Sequence, residues 1–196
     1  MLYQGKYRAE SNRMPKWDYS GNGYYFITLV SNKRACWFGE VINNKMVYSD
    51  FGLIVLNEWD KSFRLRKEIF QDEFQLMPNH LHAIVVIRKN LNAETQGLAP
   101  QRDQQQSGLS SQQQSTLKRK PKSLSTFVAG FKNAATNKID DFIDLNHLNI
   151  EKFNRHNKLW QINYHDHIIR NETEYWKIKN YIRNNPKNWN KGKINN

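Results

Sequence analysis

Cysteine is almost absent from this sequence, in which Cys36 is the only one. A single cysteine excludes an internal disulfide framework and any metal site built from several cysteines. Long apolar runs are missing too, since no stretch approaches the roughly 18 to 20 apolar residues of a membrane span. Residues 1–14 are polar and basic, unlike a signal peptide. We therefore predict a cytoplasmic protein with no membrane partner, in which any metal is held by His, Asn, Asp or Glu.

Acidic residues are scarce relative to basic ones. The 196 residues include 30 Lys and Arg against 18 Asp and Glu, which gives a formal charge of +12 at pH 7. Such an excess favours a polyanion as partner. Basic and aromatic residues alternate around Lys16 and Trp17 and again at residues 175–181. This combination is typical of single-strand nucleic acid binding, because cations follow phosphates while rings stack on bases; a solvated surface around a core explains it equally well.

One segment has no aromatic residue at all. Residues 90–121 are rich in Gln and Ser, and such a segment cannot bury enough apolar surface to fold by itself. We predict one domain spanning residues 1–196, interrupted by a disordered loop at 90–121. Four cations at the end of the loop are candidate phosphate contacts: Lys118, Arg119, Lys120 and Lys122.

The remaining patterns predict an α+β fold. Residues rich in β-branched and aromatic side chains predict strands at 24–30, 37–42, 70–77 and 81–87. Helical apolar spacing predicts helices at 50–69 and from Ser123 towards Ile139. A last helix begins at the polar N-cap Asn171 and is ended by Pro186, while residues 160–169 are extended or irregular. This order predicts a mostly antiparallel sheet with helices on one face.

Two histidines where the fourth predicted strand begins are the strongest local signal. Residues two apart on a strand point to the same face, so His80 and His82 lie side by side while Leu81 faces the other way. Such a pair can chelate a divalent cation and leave positions open for a third ligand and a substrate oxygen. Strand histidines are about as often ordinary polar residues. A second pair, His165 and His167, is a less favoured candidate for the metal site.

The last helix supplies candidates for a nucleophile and a third ligand. Tyr181 and Asn185 are four residues apart, so on a helix both project from one face. A tyrosine hydroxyl there could attack a substrate beside an amide oxygen that completes a metal site. Taken alone, each residue has a commoner explanation, Tyr181 as a packing residue and Asn185 as a helix cap before Pro186. By distance along the helix Tyr175 is excluded, and Tyr164 ranks second.

Taken together, these motifs resemble the REP-associated tyrosine transposases. The resemblance rests on YFIT at 25–28, MPNHLH at 77–82, SLSTFVAGFK at 123–132, WQINYHDHIIR at 160–170 and YIRNNP at 181–186. It covers nearly the whole chain outside the Gln-rich loop, which is the main departure from the family. It implies a sheet of four or five antiparallel strands of the HUH endonuclease (ferredoxin-like) type, with helices packed on it.

The resemblance also implies an activity. Tyr181 would be the nucleophile and His80, His82 and Asn185 the ligands of Mg²⁺ or Mn²⁺, in an enzyme that cleaves and rejoins single-stranded DNA through a 5′-phosphotyrosine. The substrate would be a palindrome folded into a hairpin. Some relatives exchange the tyrosine helix between subunits, so the resemblance leaves a monomer and a homodimer open. Further candidate DNA contacts are Lys132, Arg170 and Arg183.

Two other classes of function stay open on the sequence alone. A sheet with basic and aromatic residues could bind single-stranded nucleic acid without cutting it. The same histidines could also serve a metal-dependent phosphoesterase in which water is the nucleophile. A covalent bond between protein and DNA would distinguish the tyrosine enzyme from both.

Overall fold

The structure, a computed structural model, describes residues 17–89 and 122–191, with backbone alone for residues 190–191. It also gives the backbone of two short paired strands near the start, β1 (Leu2–Tyr3) and β2 (Lys6–Tyr7). The predicted loop at 90–121 lies outside the described residues, as do the candidate DNA contacts Lys16, Lys118, Arg119 and Lys120.

An antiparallel sheet of four strands organises the described chain. The elements follow in the order β3 (Gly23–Val30), β4 (Gly39–Ile42), β5 (Lys45–Tyr48), α1 (Asp50–Arg64), β6 (Ile69–Met77), β7 (His80–Ile87), α2 (Leu124–Leu145), β8 (His165–Ile169) and α3 (Glu172–Arg183). The order of the strands in the sheet is β6-β7-β3-β8. Short 3₁₀ turns occupy Asn32–Arg34 and Pro186–Lys191. This architecture confirms the predicted α+β class.

The helices lie on both faces of the sheet, and the expectation that they share one face is wrong. Helices α1 and α2 cover the face that carries Tyr25, Ile27 and Leu81, where the main core forms. Trp59 of α1 lies at its centre, and its ring contacts four phenylalanines, Phe63, Phe74, Phe127 and Phe131. Helix α3 covers the opposite face over a small cluster formed by Ile84, Val86, Ile169 and Ile182. The sheet therefore separates the main core from the face under α3.

One predicted boundary needs correction, and one strand was missed. The predicted helix at 50–69 ends at Arg64, because Leu65 is 80% exposed and Ile69 pairs with Ile87 as the first residue of β6. Strand β5 was not predicted at all. It pairs with β4 across a turn in which Asn43 and Asn44 have φ of 50° and 59°, the left-handed backbone of a type I′ hairpin turn.

A β-bulge in β6 joins α3 to the sheet. The register shifts between Gln71 and Glu73, which leaves Asp72 as the extra residue. Gln71 faces α1, where it accepts a hydrogen bond from Trp59, whereas Asp72 and Glu73 both reach α3. Asp72 pairs with Lys179 at 2.6 Å and Glu73 with Arg183 at 2.6 Å. A regular strand would send two successive side chains to opposite faces, so the bulge is what lets both carboxylates hold α3.

No helix within the described ranges is long and apolar enough to cross a membrane.

Gly52 provides a test of the packing between α1 and the β4–β5 hairpin. A Cβ at this position would lie 2.2 Å from the carbonyl oxygen of Phe38, in the first turn of α1. We expect Gly52→Ala to lower the free energy of unfolding by on the order of 1–3 kcal/mol, since backbone must move to admit the methyl group. Urea unfolding measures this loss. Leu53→Ala is the control, because Leu53 is 53% exposed, and an equal loss in both variants would contradict the steric explanation.

Candidate active site

His80 and His82 lie side by side on the face of β7 that α3 covers. Each is 2% exposed, and their ring centroids are 4.6 Å apart. Leu81 between them is fully buried in the main core on the other face. The alternation predicted from the sequence is therefore confirmed, and two imidazoles meet in a largely water-free site.

A hydrogen bond to Nδ1 orients each imidazole. Nδ1 of His80 lies 2.7 Å from Oδ1 of Asn79, whose Nδ2 donates to the carbonyl oxygen of Arg34 at 3.2 Å. This amide orientation makes Asn79 the acceptor, so Nδ1 of His80 carries the proton and Nε2 keeps its lone pair. Nδ1 of His82 lies 2.8 Å from Oγ1 of Thr28, its neighbour on β3. Partners of this kind orient metal-binding histidines in other proteins.

Burial keeps both histidines neutral. Desolvation lowers the pKa of His80 to about 4, an effect that the side chain of Asn185 partly offsets. The pKa of His82 is lowered well below its usual value, first by burial and then by the nearby charges of His80 and His165. Neutral imidazole is the form that binds a cation, so the site needs no deprotonation at neutral pH.

The hydroxyl group of Tyr181 lies directly over this pair. Its oxygen is 3.2 Å from Nε2 of His82, and its ring packs edge-on against Phe26 with centroids 6.2 Å apart. The side chain is 49% exposed, so an incoming strand can reach the hydroxyl. Helix α3 therefore packs on the face of the sheet that carries the histidines.

Both ends of α3 are fastened to the sheet. At its start, Glu174 accepts hydrogen bonds from Nε2 of His167 at 2.6 Å and from the backbone N–H of Arg170 at 2.9 Å. These bonds lower the pKa of Glu174, the one from Arg170 contributing most. Asn171 caps the helix as predicted, accepting from the N–H of Glu174. Together with the two ion pairs to the bulge, these contacts fix the position of Tyr181.

Asn185 reaches the site by a route other than the predicted one. Helix α3 ends at Arg183 with Asn184 as its C-cap, so Asn185 lies in the following turn and the helical i, i+4 relation to Tyr181 is wrong. The turn nevertheless buries Asn185 to 8% exposure beside His80. Nε2 of His80 is buried there without a hydrogen-bond partner of normal geometry.

These residues fit a divalent cation. The donor set consists of a buried imidazole nitrogen, a second imidazole whose ring centroid lies 4.6 Å from that of the first, and an adjacent amide. The described residues contain no cluster of three or more His, Cys, Asp or Glu, so the third protein donor at this site is the amide of Asn185.

The sequence did not predict four residues that contact the histidines: Phe26, Thr28, Asn79 and Trp189. Phe26 stacks on His82 at 5.4 Å, and Trp189 stacks on His80 at 5.9 Å. Asn79 could have been found from its place before His80. Thr28 needed the register between β3 and β7, and nothing in the sequence points to Trp189.

The second histidine pair does not form a site of its own. His167 shares the sheet face of His82 but is bonded to Glu174. His165 is exposed and lies opposite Thr28, one strand away from His82. The rival tyrosines are also elsewhere: Tyr164 packs against the main core, and the hydroxyl of Tyr175 accepts a hydrogen bond from Lys179.

Several candidate DNA contacts have partners within the protein. Lys132 donates to the carbonyl oxygen of Gln161 at 2.8 Å, Arg183 pairs with Glu73, and the indole of Trp17 donates to the hydroxyl of Tyr25 at 3.3 Å. Lys122 and Arg170 are exposed. Lys132 and Arg183 thus have partners within the protein, and their binding to DNA stays a prediction.

Fold and site together define an α+β protein in which an antiparallel sheet presents two neutral histidines beneath a tyrosine hydroxyl. The chain is 32% identical over 187 residues to a Haemophilus influenzae protein described as uncharacterized, covering 94% of this chain and 92% of that protein. It belongs to the same family as that protein. No protein-family model matches the chain.

Two solved structures are similar to this one. A REP-associated tyrosine transposase bound to a REP hairpin is 16% identical with a TM-score of 0.49, covering 94% of this chain and 73% of that one. A candidate transposase from Deinococcus radiodurans is 14% identical with a TM-score of 0.38, covering 88% of this chain and 95% of that one. Likeness this remote leaves the function to be inferred from the chain's own residues.

The buried histidines predict how stability depends on pH. With a chelator present, the unfolded chain binds a proton on His80 near pH 6.5, whereas folded His80 stays neutral until about pH 4. The unfolded state therefore holds more protons between these values, and stability should fall as pH drops from 6.5 to 4, by on the order of 3 kcal/mol from His80 alone. Urea unfolding at several pH values measures this. The stability of the His80→Gln variant should fall less than that of the wild type over this pH range. An equal fall in both, or a titration of His80 near pH 6.5 by NMR, would contradict the prediction.

Proposed function

We propose that the protein is a metal-dependent single-strand DNA endonuclease and strand transferase that acts on hairpin DNA through a 5′-phosphotyrosine. The observation that carries the proposal is the hydroxyl of Tyr181, 3.2 Å from Nε2 of His82. The neighbouring His80 has a buried Nε2 that lies beside the Asn185 amide and has no hydrogen bond of normal geometry. A half-exposed nucleophile over two neutral imidazoles supports phosphoryl transfer better than binding alone, which needs no such convergence.

His80, His82 and Asn185 would hold Mg²⁺ or Mn²⁺. When bound, the cation would polarise the scissile phosphate and offset the charge that develops on it. The protein prepares this site by keeping both imidazoles neutral and by turning both Nε2 atoms away from Thr28 and Asn79. Orientation is set before DNA arrives, so no reorganisation of the ligands is needed at the reacting phosphate.

Tyr181 would supply the covalent step. Its oxygen forms a bond to phosphorus as the bond from phosphorus to the 3′ oxygen breaks; the tyrosine proton leaves and the 3′ oxygen gains one as a hydroxyl. The DNA is then joined to Tyr181 by its 5′ phosphate. A second 3′ hydroxyl can reverse the exchange and release the tyrosine, so cleavage and rejoining need no nucleotide cofactor.

Hairpin DNA is the substrate that the motif resemblance implies. The charge of +12 supports a polyanionic substrate, and the exposed Trp17 and Trp176 offer rings on which bases can stack. The REP-associated tyrosine transposase named above is bound to a REP hairpin in its solved structure.

The first test replaces the nucleophile. Tyr181→Phe removes one oxygen and keeps the ring against Phe26, so folding and DNA binding should survive while cleavage and the covalent adduct disappear. A labelled hairpin with a single-stranded flank, incubated with Mn²⁺ and run on a denaturing gel, measures the adduct. Tyr175→Phe is the matched control on the same helix and should keep it. An adduct on another tyrosine, or cleavage by Tyr181→Phe, would end the assignment.

The second test concerns the metal ligands. His80→Ala and His82→Ala should each abolish Mn²⁺ binding measured by calorimetric titration, and Asn185→Ala should weaken it less, since a neutral amide is the poorer ligand. His165→Ala, on the same face of the sheet, should bind Mn²⁺ like the wild type. If His165→Ala and His167→Ala lose the metal and His80→Ala keeps it, the chosen pair is wrong.

A further inference from the structure

The turn that follows β3 presents two cations at the end of the sheet where His80 lies. Lys33 and Arg34 are both exposed, and both have left-handed backbone, with φ of 54° and 55°. The turn is tightly fixed: Oγ of the buried Ser31 donates to the carbonyl oxygen of Ala35 at 2.7 Å, and the N–H of Arg34 donates to that of Ser31 at 3.2 Å. The two cations therefore project from a defined position.

One side chain connects this turn to the candidate metal site. Nδ2 of Asn79 donates to the carbonyl oxygen of Arg34 at 3.2 Å, and Oδ1 of Asn79 lies 2.7 Å from Nδ1 of His80. The backbone N–H of Ser31 also donates to the carbonyl oxygen of Asn79 at 2.8 Å. The position of the two cations is thus tied to that of the His80 ring.

Backbone stability does not explain Lys and Arg at these positions. Left-handed backbone is unfavourable for most residues with a side chain, and Asn tolerates it better than Lys or Arg. The β4–β5 turn of the same protein has nearly the same φ values and carries Asn43 and Asn44. Moreover, Lys33 has no ion pair with a described residue, so no acidic side chain of the described chain accounts for its charge. A role for the charges themselves accounts for both observations.

We propose that Lys33 and Arg34 form a phosphate-binding site for the DNA strand beside the scissile phosphate. This proposal rests on the proposed function and deepens it, because it says where the strand enters the site. Contacts from Lys and Arg to phosphate fix the register of a strand without reading its sequence. Through Asn79, a strand held by this turn would be held at a set distance from His80.

The test removes the charges and keeps the backbone. Lys33→Asn/Arg34→Asn takes away two cations and puts in the residue that tolerates left-handed backbone. The matched control, Lys138→Gln/Lys152→Gln, removes two cations that line a groove beside α2, the helix that covers the other face of the sheet. Affinity for a labelled oligothymidine strand is measured by anisotropy across a range of salt concentrations, with a chelator present so that no cleavage occurs.

We expect the magnitude of the log–log salt slope to fall by about 1.4 in the Lys33/Arg34 variant, since each phosphate contact on a single strand contributes about 0.7. At 0.1 M salt this corresponds to an affinity loss of about 25-fold. The control should keep the slope, and the melting temperature of the Lys33/Arg34 variant should not fall. An unchanged slope, or the same fall in the control, would overturn the proposal.

Adduct formation separates this proposal from the one on which it rests. With Mn²⁺ and a hairpin substrate, the Lys33/Arg34 variant should need a much higher DNA concentration for half-maximal rate, while the rate at saturating DNA changes far less. A lower saturating rate with an unchanged salt slope would show that the turn acts only by positioning His80, and would overturn the phosphate site. If the wild type forms no adduct, the proposed function fails, whereas the binding measurement still decides whether this turn holds phosphate.

Discussion

The burial of two neutral imidazoles next to each other is the constraint on which the rest of the site depends. A buried polar atom is costly unless it has a partner, and two histidines bring four ring nitrogens. Thr28 and Asn79 pair with the two Nδ1 atoms. The Nε2 atoms are left to face α3, where one meets the hydroxyl of Tyr181 and the other has no partner of normal geometry. Strand β3 and the turn before His80 are therefore both needed to leave the Nε2 atoms available on the face that α3 covers.

The attachment of α3 follows from the same geometry. Only a small apolar cluster with Ile182 at its centre lies beneath the helix, so polar contacts carry much of the remaining attachment. The bulge at Asp72 holds the last turns through Lys179 and Arg183, and Glu174 holds the first turn through His167. Of these contacts, Lys179 to Asp72 is well shielded from water and should be the strongest, whereas the exposed pair of Arg183 contributes less.

Sequence reasoning picked out the residues that converge at the candidate site and missed much of what orients them. His80, His82 and Tyr181 were accessible because strand alternation and the order of the motifs are local properties. Thr28 and Trp189 could not be found in this way, because they contact the histidines from positions far away in the sequence. The helical argument for Asn185 was wrong at the last step, since α3 ends at Arg183 and the turn after it brings the amide to His80. Strand β5 was missed because four residues with half their side chains outward carry too little apolar pattern.

Strand β7 contributes to both faces of the sheet, the main core on one side and the candidate site on the other. Its even-numbered residues from His80 to Val86 face α3, and its odd-numbered residues from Leu81 to Ile87 enter the main core. Substitutions at odd positions thus act mainly on stability, and those at His80 and His82 on chemistry. Under the proposed function, a single change at His80 or His82 would therefore remove catalysis and leave the main core and the basic surface in place. Loss of the activity would not require loss of the fold, so the same scaffold could serve a protein that only binds nucleic acid.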